Sequence, residues 1–395
     1  MTQRHAIAFL LGLGLCACGG SGNGTSGPSS INLATFQPAN AIIGQSFATG
    51  GVSNNGAGPG VQNQSGLASP NGHVANGSLY VADRNNNRIM GWNSVPAGFG
   101  ANADFAMGVP NFVTVGGGTS ATLLTFPSSC WVGSNALFVA DQQNERVLIY
   151  SPPPTSNVAA SVALGKPDLT TQGFTSGQNG LSTVDDVCVA LNRIVAADTG
   201  NNRVMIWNGI PVSSGANAQV VVGQPDFLTL TSGTTAAKMS QPAGVWTDGT
   251  RLVVADTANN RVLIWNTFPT ALGQNADLVI GQPDFVTATP GTGSLKMASP
   301  RSVTSDGVQL FVADTNNSRV LIYSPFPTLS NAAPLRVLGQ STFTNVTAND
   351  DNQDGIMDPA PTARTMNTPQ GVTSFGNQLF VTDSSNHRVL IFTGS

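Results

Sequence analysis

The chain has 395 residues, 9% of them charged, with 45 glycines, 24 prolines and a formal net charge of −4. Its Lys and Arg residues form no basic run, which leaves out the electrostatic footprint that nucleic-acid binding requires. Low charge with abundant Gly, Asn, Ser and Thr predicts many short strands joined by turns.

The N-terminus reads as a targeting segment. Arg4 and His5 precede an apolar run, Ala6 to Leu15, that is too short to span a bilayer. The run ends Leu15-Cys16-Ala17-Cys18 and a Gly/Ser/Asn stretch follows. This resembles the lipobox of bacterial lipoproteins. The resemblance implies a signal peptide over residues 1–17, lipidation of Cys18 and a place in the bacterial cell envelope, with membrane contact through that anchor alone. Gly19 is not the Asp associated with inner-membrane retention, so an outer-membrane or surface location is implied for a Gram-negative source. Residues 18–38 show no periodicity and are expected to be a flexible tether.

Residues 39–395 are read as one domain because a repeat runs through them. Its best-preserved stretch is Leu252-Val253-Val254-Ala255-Asp256-Thr257-Ala258-Asn259-Asn260-Arg261-Val262-Leu263-Ile264-Trp265, and it occurs six times. Each copy is an apolar run ending in Asp, four turn-forming residues, then Arg and a second apolar run ending in an aromatic. The Asp/Arg pairs are Asp83/Arg88, Asp141/Arg146, Asp198/Arg203, Asp256/Arg261, Asp314/Arg319 and Asp383/Arg388. A Pro precedes most copies, and an apolar-Gly signature, often continued as Gln-Pro-Asp-Phe, follows most of them.

These pieces predict a four-stranded antiparallel sheet. Strand a follows the Pro, strand b ends at the Asp, strand c begins at the Arg, and strand d is the apolar run before Gly. The runs are apolar on both faces, so each sheet must be buried between neighbours, and radial stacking meets that need. The last copy stops after strand c, whereas Ala41-Ile42-Ile43-Gly44 is a strand d with no a, b or c before it. The fold class is therefore all-β: a six-bladed β-propeller whose last blade is closed by the N-terminal strand.

The succession Pro-x-Gly-Val, Leu-Tyr-Val-Ala-Asp, Asn-Asn-Arg-Val and a terminal aromatic resembles the NHL repeat of six-bladed propellers, over essentially residues 40–395. That resemblance implies fold more than function, since the family hosts unrelated activities. Metal-holding relatives of the gluconolactonase type use Glu, Asn and Asp in the channel, and peptide-amidating lyases use several His. This chain has one Glu, Glu145, and its His residues past the signal segment are His73 and His387.

Sixfold repetition assigns the Asp/Arg pairs to structure, each Asp capping its b–c turn. Departures from the repeat point elsewhere. In the third unit Val184-Asp185-Asp186-Val187 replaces Pro-x-Gly-Val, and strand a is the innermost strand of a propeller. Asp185 and Asp186, with Arg301 in register and His73 nearby, form a candidate ligand site at the channel mouth. In the long final unit, Asp350, Asn352, Asp354, Ile356 and Asp358 match the spacing of an Asp-x-Asn-x-Asp-Gly-x-x-Asp loop, so calcium is the one cofactor expected. Cys130 and Cys188 fall on adjacent innermost strands with opposite parity, which permits a disulfide between blades in an oxidising compartment. The function expected is a binding module for a protein, peptide or glycan partner. The alternative is a metal-dependent hydrolase or lyase with its site in the axial channel.

Overall fold

The structure is a computed structural model. It describes residues 30–395 apart from Pro59 and Val115, and the side chains of His73, Val74 and Ala75 also fall outside the description. The signal segment and Cys18 lie outside the described residues.

Six four-stranded antiparallel sheets make the fold. Blade 3 shows the pattern: strand a Val184–Ala190, strand b Arg193–Asp198, strand c Arg203–Trp207 and strand d Val220–Val222. The other innermost strands are Asn71–Asn76, Pro127–Gly133, Pro242–Thr247, Pro300–Ser305 and Pro369–Phe375. Each touches the innermost strand on either side, and blade 1 meets blade 6, so the ring is closed. In blade 6 the N-terminal strand Ala41–Ile43 pairs antiparallel with Arg388–Thr393, placing Ile42 opposite Leu390.

Strands b and c are apolar on both faces because both faces are covered by neighbouring blades. Val195 and Ile206 of blade 3 share one apolar cluster with Val254 and Leu263 of blade 4. Each such fully buried side chain contributes roughly 1.5–3 kcal/mol. The expected tether ends earlier than residue 38. Ile31 and Leu33 are buried, Ile31 N–H donates to Asp306 (3.1 Å) and Phe36 N–H donates to the Val337 carbonyl (3.0 Å). A stretch whose composition reads as a linker is thus held by two apolar residues that find a seat on blades 5 and 6.

Every b–c connection is a single 3-10 turn followed by one left-handed residue: Asn87, Glu145, Asn202, Asn260, Ser318 and His387. Asn suits that conformation, and it also reaches outward. Asn202 Oδ1 accepts the Gln241 N–H of the next blade at 2.9 Å, and His387 Nδ1 accepts Ser69 N–H at 2.9 Å across the ring closure.

The Asp of each repeat does not bond the backbone of its turn, as a cap would. In blade 4, Asp256 Oδ2 takes Arg261 Nε at 2.7 Å and Asn259 Nδ2 at 2.8 Å, while Oδ1 takes Ser240 N–H at 2.7 Å. Arg261 then donates to the carbonyls of Phe285, Thr235 and Lys238. The pair therefore ties together the loops entering and leaving the blade. All six pairs have fully buried side chains. In Asp83, Asp141, Asp198, Asp256 and Asp314 burial pushes the carboxyl up, and the guanidinium, Asn amide and backbone N–H pull it back.

Candidate functional site

Strand a of every blade carries a register shift near its start. The residue left unpaired is Gly72, Ser128, Asp185, Ala243, Arg301 or Gln370 in blades 1 to 6. A bulge turns its extra residue out of the ladder, and here all six line one cavity on the axis, of roughly 240 Å³ including its open mouth. The cavity lies at the end of the ring that carries the b–c turns and the d–a loops, because each bulge sits beside the Asp that ends strand b.

The residue after the bulge is small where innermost strands approach closely. A Cβ on Gly244 would lie 2.5 Å from the Arg301 carbonyl oxygen. Blade 3 places Asp186 at this position. Its carboxylate reaches over Gly244 to accept Val245 N–H (3.0 Å), and also accepts Ser129 Oγ–H (2.5 Å) and Val187 N–H (2.9 Å). It thus joins blades 2, 3 and 4. Burial pushes the carboxyl up to about 7, the three hydrogen bonds oppose that, and the neighbouring Asp185 charge adds to it.

Asp185 is 6% exposed. Its Oδ2 meets Arg301 Nη2 at 3.0 Å and its Oδ1 accepts the Gln142 amide, whose Oε1 accepts Arg84 Nη2 at 2.7 Å. Burial raises the Asp185 carboxyl, against Arg301 first, then Gln142, Arg84 and Thr199. This chain of contacts is a local departure from the repeat. At the positions of Arg84 and Gln142, blades 3 to 6 carry Thr199, Thr257, Thr315 and Ser384, each with its hydroxyl on a proline carbonyl of the next blade.

The structure therefore brings Asp185, Asp186 and Arg301 together. His73 is on strand a of blade 1, paired with Val81, and its side chain is outside the described residues. Sequence reading passed over Gln142 and Arg84; a signal existed, since Arg84 and Gln142 break a run of hydroxyl residues just after the repeat Asp.

The cysteines correct an expectation. Cys130 and Cys188 are free and buried. Cys130 Sγ lies 3.5 Å from the Tyr80 carbonyl of blade 1, and Cys188 Sγ lies 3.7 Å from the Thr247 carbonyl of blade 4. Their parity is opposite, but it directs them away from each other rather than together. Burial pushes the Cys130 thiol up, and Asp186 adds to the effect.

In the Asp350–Asp358 loop the candidate donors accept the loop's own backbone N–H groups. Asp350 is 1% exposed, and its two oxygens accept Asp354 N–H (3.1 Å) and Gly355 N–H (2.9 Å). Asn352 Oδ1 accepts Asp354 N–H at 3.1 Å, and Asp354 Oδ1 accepts Ile356 N–H at 2.8 Å. Asp358 Oδ2 accepts Asp351 N–H at 2.8 Å. The loop is closed by hydrogen bonds from its own amides. Among the described residues, no group of three or more His, Cys, Asp or Glu is placed to hold a metal ion.

A family model for the NHL repeat matches residues 366–392. That segment is strands a to c of blade 6. Among solved structures, the chain is similar to a structural-genomics protein of unknown function from Bacteroides thetaiotaomicron, at 12% identity over 91% of this chain and 77% of that one, with a TM-score of 0.52. It is also similar to a catalytically inactive virginiamycin B lyase from Staphylococcus aureus solved with quinupristin, at 13% identity over 84% of this chain and 96% of that one, with a TM-score of 0.45. Likeness at these identities concerns the fold alone. The comparison with curated proteins finds no match.

Proposed function

We propose that this NHL-type propeller is a cell-envelope binding module, anchored by lipid on Cys18, that presents its d–a loop face to a protein, peptide or glycan partner. The observation that carries the reading is where exposed apolar side chains stand. Phe47, Val113, Phe174, Leu228, Val286 and Ile356 are each more than half exposed, and each lies on a different d–a loop around the channel mouth. Loops on a rigid scaffold are the usual seat of recognition, and the frame beneath these is fixed by the buried Asp/Arg pairs.

The test compares the two ends of the ring. Immobilised mature protein is exposed to solubilised envelope from the source, and captured material is compared with that taken by Phe174→Ser/Leu228→Ser and by Val212→Ser. Val212, 94% exposed, is on a c–d loop at the opposite end. Capture lost in the double variant and kept in Val212→Ser is the expected result. Equal capture by all three would overturn the proposed face. Anchoring is checked by mass spectrometry of the mature N-terminus, where Cys18→Ser should remove the lipid mass.

A further inference from the structure

Two carboxylates at the channel mouth suggest a cation site, but their oxygens are already engaged. Asp185 accepts from Arg301 and Gln142, and Asp186 accepts from Ser129, Val187 and Val245. What the cavity has left to offer is donors. Arg301 spends a single N–H on Asp185, and its side chain is 30% exposed. Asn71 lines the cavity at 7% exposure; its Oδ1 accepts Gly72 N–H at 3.1 Å, while its amide nitrogen has no partner among the described residues. Gln370, the bulge residue of blade 6, lines the cavity with its side-chain amide also without a partner among the described residues. Gln370 is half-buried, so its amide stands open to water or a ligand at the cavity wall.

We propose that the channel mouth is a binding site for a small organic carboxylate, taken by the free edge of the Arg301 guanidinium, with the Asn71 and Gln370 amides meeting the polar groups beside it. Arg presents a planar fork that matches a carboxylate. Asp185 holds that fork in place, and is itself held by the Gln142–Arg84 relay that departs from the repeat. The charge balance favours a monoanion. Arg84 and Arg301 stand against Asp185 and an Asp186 carboxyl that burial keeps partly protonated near neutral pH, so the mouth carries a slight positive excess that one added negative charge offsets. The site is independent of the loop-face reading, because none of its residues belongs to the exposed apolar set.

The test is isothermal titration of the mature protein with acetate, lactate, gluconate and glucuronate, with glucose and inorganic phosphate as controls. The expected result is saturable binding of at least one carboxylate, no binding of glucose, and phosphate at least about 10-fold weaker. Arg301→Gln should weaken the carboxylate by about 10-fold or more, and Gln370→Ala by about 3-fold. Gln370→Ala removes no side-chain hydrogen bond among the described residues, so it reports on the site even where Arg301→Gln disturbs folding. No binding of any of the four carboxylates at about 10 mM, wild-type affinity in either variant, or phosphate binding as tightly as the best carboxylate would each overturn the proposal. Phe174→Ser/Leu228→Ser should leave the carboxylate affinity unchanged, so failure of the loop face and failure of the pocket are read separately.

Discussion

Asp and Arg meet in two settings in this protein, and the settings differ in how much of each side chain is used. In the repeat, Arg261 has a fully buried side chain and donates to Asp256 and to several backbone carbonyls. At the channel mouth, Arg301 is 30% exposed and, among the described residues, donates to Asp185 alone. The first pair is saturated, and so it can only be structural: it closes loops and leaves nothing to bind with. The second holds one guanidinium edge in a cavity with its other donors free. The same two residue types make a clamp or a receptor according to whether the surrounding backbone uses up the hydrogen bonds.

The comparison is broken most severely at the clamp. Arg261→Ala leaves Asp256 buried without its counter-charge and strands the loop carbonyls of Thr234, Thr235, Lys238 and Phe285, so a loss of roughly 3–5 kcal/mol is expected in denaturant unfolding. Arg301→Gln should cost far less, about 1 kcal/mol, because solvent and the Gln142 amide still serve Asp185. Equal losses in the two variants would mean that the mouth pair is a seventh clamp.

A smaller effect sharpens the electrostatics of the mouth. Asp186 has a folded-state pKa raised to about 7 from 3.8, so the folded protein binds more protons than the unfolded chain between those values. Stability should therefore fall as pH rises through that window, with a slope no steeper than about 1.4 kcal/mol per pH unit. Asp186→Asn should flatten this part of the profile, whatever it does to absolute stability. A profile unchanged in the variant would place the titration elsewhere.

The smallest effect belongs to the ring closure, and its sign is opposite. The pKa of His387 is lowered from 6.5 by burial, against Asp83 and Asp383. Its contribution is present above the unfolded value and is lost as pH falls through it. Protonation removes the acceptor for Ser69 N–H, worth about 1 kcal/mol. His387→Asn restores the acceptor that Asn202 and Asn260 provide in their blades, and it should remove the acid loss in a pH series of thermal melts. Because the Asp186 and His387 windows overlap, the wild-type profile alone understates both.

The legible parts of this fold were those written more than once. Six copies of the Asp–Arg stretch predicted the blades, and the unpaired Ala41–Gly44 segment predicted how the last one closes. Asp185 and Arg301 were legible for the converse reason, as departures from the repeat on innermost strands. Their partner Gln142 was not, because a Gln in a turn looks solvated until the ring places it beside the next blade's bulge. Residues 31–38 misled for a similar reason: Ile31 and Leu33 are too few to outweigh a linker-like composition until a surface is present to receive them. The Asp350–Asp358 spacing matches a calcium loop, and the structure adds that its oxygens also accept the loop's own backbone N–H groups.

By itself, then, the sequence determined what depends on periodicity: strand order, blade number, the clasp and the structural use of the paired charges. Tertiary structure decided what depends on direction. Parity told that Cys130 and Cys188 face opposite ways, but only the handedness of the closed ring says that they face apart. Likewise, the sequence placed two carboxylates at the mouth. Only the packed neighbours show that their oxygens already accept hydrogen bonds, and that donors without a partner among the described residues stand beside them at the axis.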